Sequence, residues 1–515
     1  MKLHHSPALF SPGRRRLLAG AAGALPLCSG LGSLTGCAAT QPAQELLPLR
    51  QPERPAEIVQ EPACVMSDQA LLDDVEARTF RFFWETAEPT TGLIPDRWPG
   101  NPAMASIASV GFGLTALLVG AERGLVTREQ AAERTHTTLA FLARAKQGTA
   151  RQGTSGYRGF FYHFLDVKTG ERFSRSTELS TVDTALLMGG VLAVQSYFDR
   201  PNPTEAQIRA LAEQLYTRVD WRWAQQRGGL IAMGWSPEGG FQRFIDYRGY
   251  DEAMLLVLLA MASPTHPARD DSWRAFTTTY PRLWGTFMGQ TYLSGAPLFW
   301  HQYSHVWIDF RGIQDDFMRK YGIDYFENSR RATQAQRSYA IANPAKWKDY
   351  GENVWGFTAC DGPGKLWLPD HAGVDRQFLD YSARGVGLID TRDDGTLAPT
   401  AAAASLPFLP AEATAAVQTM HSRYGSHIYG RYGFLDAFNP SFTNAKAKLS
   451  DGRVAPGFGW VATDYLGIDQ GPIVAMIANH RQDLIWRTIR GNAHVRRGLR
   501  RADFRGGWLD RPASA

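Results

Sequence analysis

Residues 178–198 read ELSTVDTALLMGGVLAVQSYF, and this stretch decides the fold class. Beyond Glu178 and Asp183 it is almost wholly apolar, which fits a helix buried on all sides better than a half-exposed one. The segment that follows, 204–219, carries charge and reads as a wetter helix. The same contrast occurs upstream, where 103–120 is apolar and interrupted by glycine while 128–145 is amphipathic. It recurs downstream, with apolar 251–262 followed by 270–287, which has a wetter face. A first helix fits 71–86, and later candidates cover 303–319, 327–341, 377–389, 411–424, 460–477 and 479–488. No strong set of alternating strand segments accompanies them. Roughly a dozen helices of alternating character predict an all-α fold, an (α/α)6 toroid. Inner helices would present polar residues at one end, and outer helices would shield their apolar sides. An ordinary helix stack is the plainer alternative, and no short repeat supports a solenoid.

The chain has 515 residues, 44% apolar and 12% aromatic, as expected of a folded globular protein. Its formal charge of +5 is misleading, because Lys2, Arg14, Arg15 and Arg16 precede any acid and the remainder is almost neutral. A nucleic-acid partner is therefore not expected. Residues 1–36 read as an export segment: the arginine triplet resembles a twin-arginine signal, and Leu34-Thr35-Gly36-Cys37 resembles a lipobox. Cys37 would carry the lipid and 37–67 would form the lipidated N-terminus and tether. The expected location is the periplasmic face of the outer membrane. A plain cleaved signal, giving a soluble periplasmic protein, is the alternative. Residues 68–500 are taken as one catalytic domain and 501–515 as a C-terminal tail. Cys64 and Cys360 define neither a disulfide scaffold nor a metal site.

Acids and aromatics gather in blocks where glycine-rich loops meet apolar helices. The first runs from Gly156 to Asp166 and places Tyr162 and His163 ahead of Glu178 and Asp183. A helix N-terminus stabilises carboxylates, although capping alone would also explain these two. The second holds Glu238 and leads to Glu252 at the start of another apolar run. Two acids distant in sequence and close in space can cleave a glycosidic bond, one protonating the leaving oxygen. The third contains His301, Gln302, His305 and Asp309, suited to sugar hydroxyls. The four-residue spacing of the histidines resembles a metal motif, but no HExxH accompanies it, and neither a metal nor a cofactor is expected. Glu327 and Arg330, Trp355 and Asp361, and Asp469 and Gln470 extend the candidate sugar-binding wall. Capping or turn formation is the plain alternative for Glu327, Asp361 and the Asp393-Asp394-Gly395 turn.

Taken in order, these blocks resemble the bacterial glycoamylase-like domain family over about residues 70–490. Within it they resemble β-1,2-glucanases and sophorose-releasing enzymes, and the same type of domain occurs in cyclic β-1,2-glucan synthases. The resemblance implies a six-fold α/α toroid, glycoside chemistry and a cleft for β-1,2-linked glucose. It ranks Glu178, Asp183 and Glu252 as catalytic: Glu252 as general acid, Glu178 or Asp183 as the activating or positioning carboxylate. Glu238 competes for the acid role. The expected activity is that of an exported glycoside hydrolase on β-glucan or derived oligosaccharides, with no obligatory protein partner. A transglycosylase and a noncatalytic glucan-capturing lipoprotein are the alternatives.

Overall fold

The inner helices are where the sequence places them. In the computed structural model, which describes residues 66–512, α2 (Ile107–Glu122), α4 (Thr181–Tyr197) and α6 (Met254–Ala262) are buried along nearly their whole length. Ser106 and Ser180 cap α2 and α4 by accepting the Ser109 and Asp183 amides. The wetter helices α1 (Asp68–Thr86), α3 (Arg128–Arg144) and α5 (Pro203–Thr217) bury one face each. Ser67, Thr127 and Asn202 cap them, Thr127 within a full capping box.

The second half is more broken than expected. Segment 270–287 resolves into short α7 (Ser272–Phe276) and α8 (Tyr280–Leu283) followed by a strand, Trp284–Phe287. Segment 303–319 splits into α9 (Tyr303–Trp307) and α10 (Asp316–Tyr321). α11 (Tyr325–Ala342) forms as expected, but 377–389 contains short strands and no helix. α12 (Pro399–Ala403) arises from the alanine-rich patch and precedes α13 (Pro410–Ile428). Segment 460–477 begins as strands before α14 (Gly467–Gln482), and α15 (Leu484–Ile489) and α16 (Ala493–Arg501) complete the helices. The expectation of no strand pattern is corrected. Short antiparallel pairs are frequent, and a four-stranded sheet joins Pro95–Trp98, Asn101–Ser106, Phe164–Asp166 and Tyr465–Leu466. These strands are two to six residues long, too short for period-two alternation to register.

α2 lies against α4 and α14, α4 also packs on α6, and α9 touches α4, α6 and α14. α12 packs on α14 and α13, and α16 packs on α6. Glycine sets the separations. A Cβ on Gly190 of α4 would meet the Gly111 carbonyl oxygen of α2 at 2.1 Å, and one on Gly111 would meet the Leu186 carbonyl oxygen at 2.4 Å. On α14, a Cβ at Gly471 would strike the Phe112 ring at 2.1 Å. Phe112, Tyr303 and Trp307 fill the space between these helices, and the Trp307 indole donates to Thr115 Oγ1 at 2.9 Å. Pro472 lies inside α14 and has no N–H to give Ile468. The Tyr303 hydroxyl donates to that carbonyl instead, at 3.2 Å.

The export segment, Cys37, the Cys64 thiol and nearly all of the 37–67 tether lie outside the described residues. At the other end, Phe504 and Leu509 are buried in the core. No helix among the described residues is long and apolar enough to cross a membrane.

The glycine contacts give a paired test. Gly190→Ala gains up to about 1 kcal/mol of helix propensity, but overpacking against backbone costs about 1–3 kcal/mol or more, so it should lower the unfolding midpoint. Gly425→Ala in α13, where a Cβ meets only ordinary contacts at 3.7 Å or beyond, should leave it unchanged or raise it. Urea titration of both variants checks this; equal behaviour would show that α2 and α4 can move apart freely.

Candidate active site

The buried helices converge by their N-termini. The Ile107 amide donates to the His163 carbonyl at 3.1 Å, and the His163 amide donates to the Glu178 carbonyl at 2.9 Å, lacing the starts of α2 and α4 together. Leu179 and Ser180 pair with Trp235 and Gly234, which brings in the loop leading to α6. The Leu255 amide donates to Ser304 Oγ at 3.0 Å, joining the starts of α6 and α9. Thr400 Oγ1 donates to the Asp469 carbonyl at 2.8 Å, joining α12 to α14. Arg97 and Trp98 pair with Leu466 and Tyr465 at the start of α14. One end of the helix assembly therefore gathers positive helix-dipole ends, a setting that favours carboxylates.

Three of the expected residues meet directly. His163 Nδ1 lies 2.9 Å from Glu178 Oε1, and Nε2 lies 3.6 Å from Asp183 Oδ2. Ser180 Oγ donates to Asp183 Oδ2 at 2.5 Å. Asp183 is enclosed, its side chain 4% exposed, whereas that of Glu178 is 17% exposed. Glu238 joins this wall through Arg172, whose guanidinium grips both carboxylate oxygens at 2.9 and 3.1 Å. Hydrogen bonding to Arg172 holds the Glu238 carboxyl below its usual range. Tyr162 is fully buried under the Arg172 guanidinium, 4.7 Å from its ring centre, and so props that clamp. Glu252 is 8% exposed and lies two residues ahead of α6.

A second group of carboxylates surrounds Arg97. Its guanidinium donates to Asp361 at 3.1 and 3.3 Å, to Asp451 at 2.8 Å and to Asp464 at 3.3 Å. The Asp361 amide donates to Asp436 Oδ2 at 2.7 Å. Asp436 is held well above the carboxylate range by burial and then by the charges of Asp469 and Asp361. Burial, then Asp361, also pushes Asp451 up to about 6 against the pull of Arg97. Asp361 and Asp469 were expected here. Arg97, Arg172, Asp436, Asp451 and Asp464 were not singled out from the sequence.

The remaining candidates are engaged within the protein. His301 accepts from the Tyr250 hydroxyl at Nδ1 (3.0 Å) and faces the Gly295 carbonyl with Nε2 (3.2 Å), so the proton resides on Nε2. His305 Nε2 meets Ser329 Oγ at 3.0 Å. Burial pushes both rings down to about 3, leaving them neutral. Gln302 ties α9 to α12 through the Ala401 carbonyl and Ser405, each at 2.9 Å. Asp309 lies past the far end of α9, held by Arg311 at 2.8 Å and Arg490 at 2.7 Å. Glu327 pairs with Arg330 at 2.6 Å and with Arg331 at 2.7 Å on the first turns of α11. Trp355 is a buried core residue, and Gln470 donates to the Phe434 carbonyl at 2.8 Å. Asp394, in the turn read as ambiguous, forms a fully enclosed ion pair with Arg384 at 2.6 Å. Among the described residues no group of three or more His, Cys, Asp or Glu side chains is arranged to hold a metal ion.

The fold and the site define a helix-built protein with carboxylates gathered near the starts of its buried helices. Residues 245–493 match the family described as "Putative glucoamylase". A structure of "a putative glucoamylase" from Bacteroides uniformis is 33% identical, with a TM-score of 0.74 over 86% of this chain and 99% of that one. The endo-beta-1,2-glucanase of Chitinophaga pinensis, solved with sophorotriose and glucose, is 29% identical, with a TM-score of 0.72 over 86% of this chain and all of that one. An exo beta-1,2-glucooligosaccharide sophorohydrolase (non-reducing end) of Parabacteroides distasonis is 29% identical over 465 residues. That match covers 85% of this chain and 58% of the relative, so the chain spans little more than half of the relative's length. This chain belongs to the glycoamylase-like family.

The raised carboxyl of Asp451 makes a pH prediction. A folded state that binds a proton more tightly than the unfolded chain is stabilised below the unfolded pKa, and that stabilisation is lost as pH rises through the folded value. The melting temperature should therefore fall between about pH 4 and about pH 6, the span between the ordinary value of 3.8 and the raised one. Asp451→Asn should flatten the fall and melt no lower than wild type at the upper pH. Calorimetry across this range checks it; an identical slope in the variant would assign the fall elsewhere.

Proposed function

We propose that this chain is a glycoside hydrolase acting on β-1,2-glucan or oligosaccharides derived from it, in a cleft at the N-terminal ends of six helices closed into an (α/α)6 toroid. The inner members would be α2, α4, α6, α9, α12 and α14. The observation that carries the reading is the meeting of His163, Glu178 and Asp183 at the entrance of α4, beside the loop that delivers buried Glu252 to α6. Relatives named for action on β-1,2-glucan, at about 30% identity across most of the chain, support the substrate class.

Glu252 acts as the general acid, protonating the departing glycosidic oxygen as positive character grows at the sugar carbon. Glu238 is the poorer acid: its bidentate Arg172 partner keeps it ionised, which suits it to accept sugar hydroxyls. Glu178 activates the attacking water, directly or through a hydrogen-bond chain, because it has solvent access and Asp183 does not. Asp183 then acts through His163, fixing the imidazole that orients Glu178. Asp361 and Asp469 supply the opposite acidic wall. His301, Gln302, His305, Asp309, Glu327, Arg330, Trp355 and Gln470 support the helices rather than the sugar. The arginine triplet 14–16 and Cys37 support export to the periplasm with a lipid anchor at the outer membrane.

Product mapping on β-1,2-glucan and control glucans tests the proposal. Wild type should release short linear products from the β-1,2-linked polymer alone. Glu252→Gln should lower turnover by about 10²–10⁴-fold with binding retained. Undiminished cleavage by that variant would remove the acid assignment. Elongated products in excess acceptor would indicate transfer, and binding without products by wild type would indicate capture.

A further inference from the structure

At the end of α6 remote from Glu252 lies a cavity of about 560 Å3. Arg496, Arg497, Arg500 and Arg501 line it, with Gly491 and Ala493 at the entrance of α16. α6 has nine residues, so roughly 14 Å of helix separates this cavity from the acidic cleft.

The arginines are held by neutral groups. Arg497 Nε donates to the Ala262 carbonyl at 2.6 Å, and Arg501 reaches the Met261 carbonyl, so both bind the last turn of α6. Arg497 also meets His494 Nδ1 at 3.0 Å, which places the imidazole proton on Nε2, facing Glu213 at 2.8 Å. Arg496 and Arg500 donate to the Leu509 carbonyl at 2.9 and 3.1 Å. Only Arg501 of the four pairs with a carboxylate, Asp270, whose side chain is 89% exposed. Among the described residues neither Arg496, Arg497 nor Arg500 forms an ion pair. Carbonyls fix a guanidinium's direction and leave its charge uncancelled. The crowding registers on Arg496, where burial and then the Arg500 charge disfavour the cation.

We infer that this cavity is a second ligand site, for a phosphate mono- or diester, distinct from the glucan cleft. Guanidinium forks match tetrahedral phosphate oxygens in geometry and charge, and four of them line this one cavity. A bound dianion would relieve the repulsion between Arg496 and Arg500, which form no ion pair among the described residues. The volume exceeds that of a single ion and lies in the range of small-ligand pockets, about 300–1,000 Å3. The group recognised is the phosphate, whether of a soluble ester or of a phospholipid headgroup presented at a membrane surface.

Arg500 is the residue to change, since among the described residues its guanidinium makes a single hydrogen bond, to the Leu509 carbonyl. Calorimetric titration of the full chain with inorganic phosphate, at ionic strength matched with chloride, should give saturable binding. Arg500→Gln should weaken it about tenfold or more, while Arg500→Lys keeps most of it. Cleavage of β-1,2-glucan and the melting temperature should not change in either variant, which separates ligand binding from a purely structural role. Co-sedimentation with phosphatidylglycerol and phosphatidylcholine vesicles identifies the source. Retention on phosphatidylglycerol alone, lost in Arg500→Gln and displaced by phosphate, assigns a lipid headgroup; retention that ignores Arg500 assigns a soluble ester. Absence of saturable phosphate binding, or equal binding by wild type and Arg500→Gln, overturns the proposal.

Discussion

The backbone of α2 meets that of α4 with no side chain between them at their crossing, glycines of α14 admit side chains of α2, and the meeting of the helix entrances depends on that approach. Gly111 and Gly190 face each other's helices, and Gly467 and Gly471 face Ser109 and Phe112. Each contact exchanges packed side-chain area for short helix separation, and glycine inside a helix costs about 1 kcal/mol of propensity. The exchange has a positional consequence. Helices this close bring their first turns within hydrogen-bonding reach of the same short strands. His163 can then bond to the entrances of both α2 and α4. With larger residues at the crossings, those entrances would separate and the carboxylates would part with them.

Arginine completes what the helices begin. Taking carboxylates out of water is costly unless charge and hydrogen bonds replace the lost solvation. Arg97 and Arg172 do this selectively. Arg172 serves one carboxylate, and Glu238 is held ionised. Arg97 is shared among Asp361, Asp451 and Asp464, and the deficit appears as raised carboxyls at Asp451 and Asp464. The same fold thus holds Glu238 ionised and pushes the Asp451 and Asp464 carboxyls up. Hydroxyl-rich ligands need both acceptors and donors, and a carboxylic acid that keeps its proton is a donor.

Helix periodicity and the glycine-interrupted apolar runs made α2, α4 and α6 legible from sequence, because burial on every face leaves a composition that few other structures require. The Glu178–Asp183 segment was legible for a related reason: polar residues opening an apolar helix have few places to go except its mouth. The 303–319 segment failed because its apolar residues come from two short helices and the turn between them, whose faces do not continue one another. The strands were too short to show alternation. His301 and His305 are competent sugar ligands by type, but in the fold Tyr250 and Gly295 hold both ring nitrogens of His301 and Ser329 meets Nε2 of His305. Arg97 and Arg172 left no local signal, since an arginine's partners are set wholly by the tertiary fold.

Glu238 and Glu252 show why residue type cannot assign a catalytic role. Both follow glycine-rich aromatic loops, both come before α6, and either fits a general acid by position in the chain. The distinction comes from Arg172, some 66 residues before Glu238. A bidentate guanidinium stabilises the charged carboxylate, and an acid stabilised in its charged form is a weak proton donor at neutral pH. Neutralising Arg172 would therefore do more than loosen a loop: it would remove what keeps Glu238 ionised, so the charge of this carboxyl is set by a partner that lies far from it in the chain.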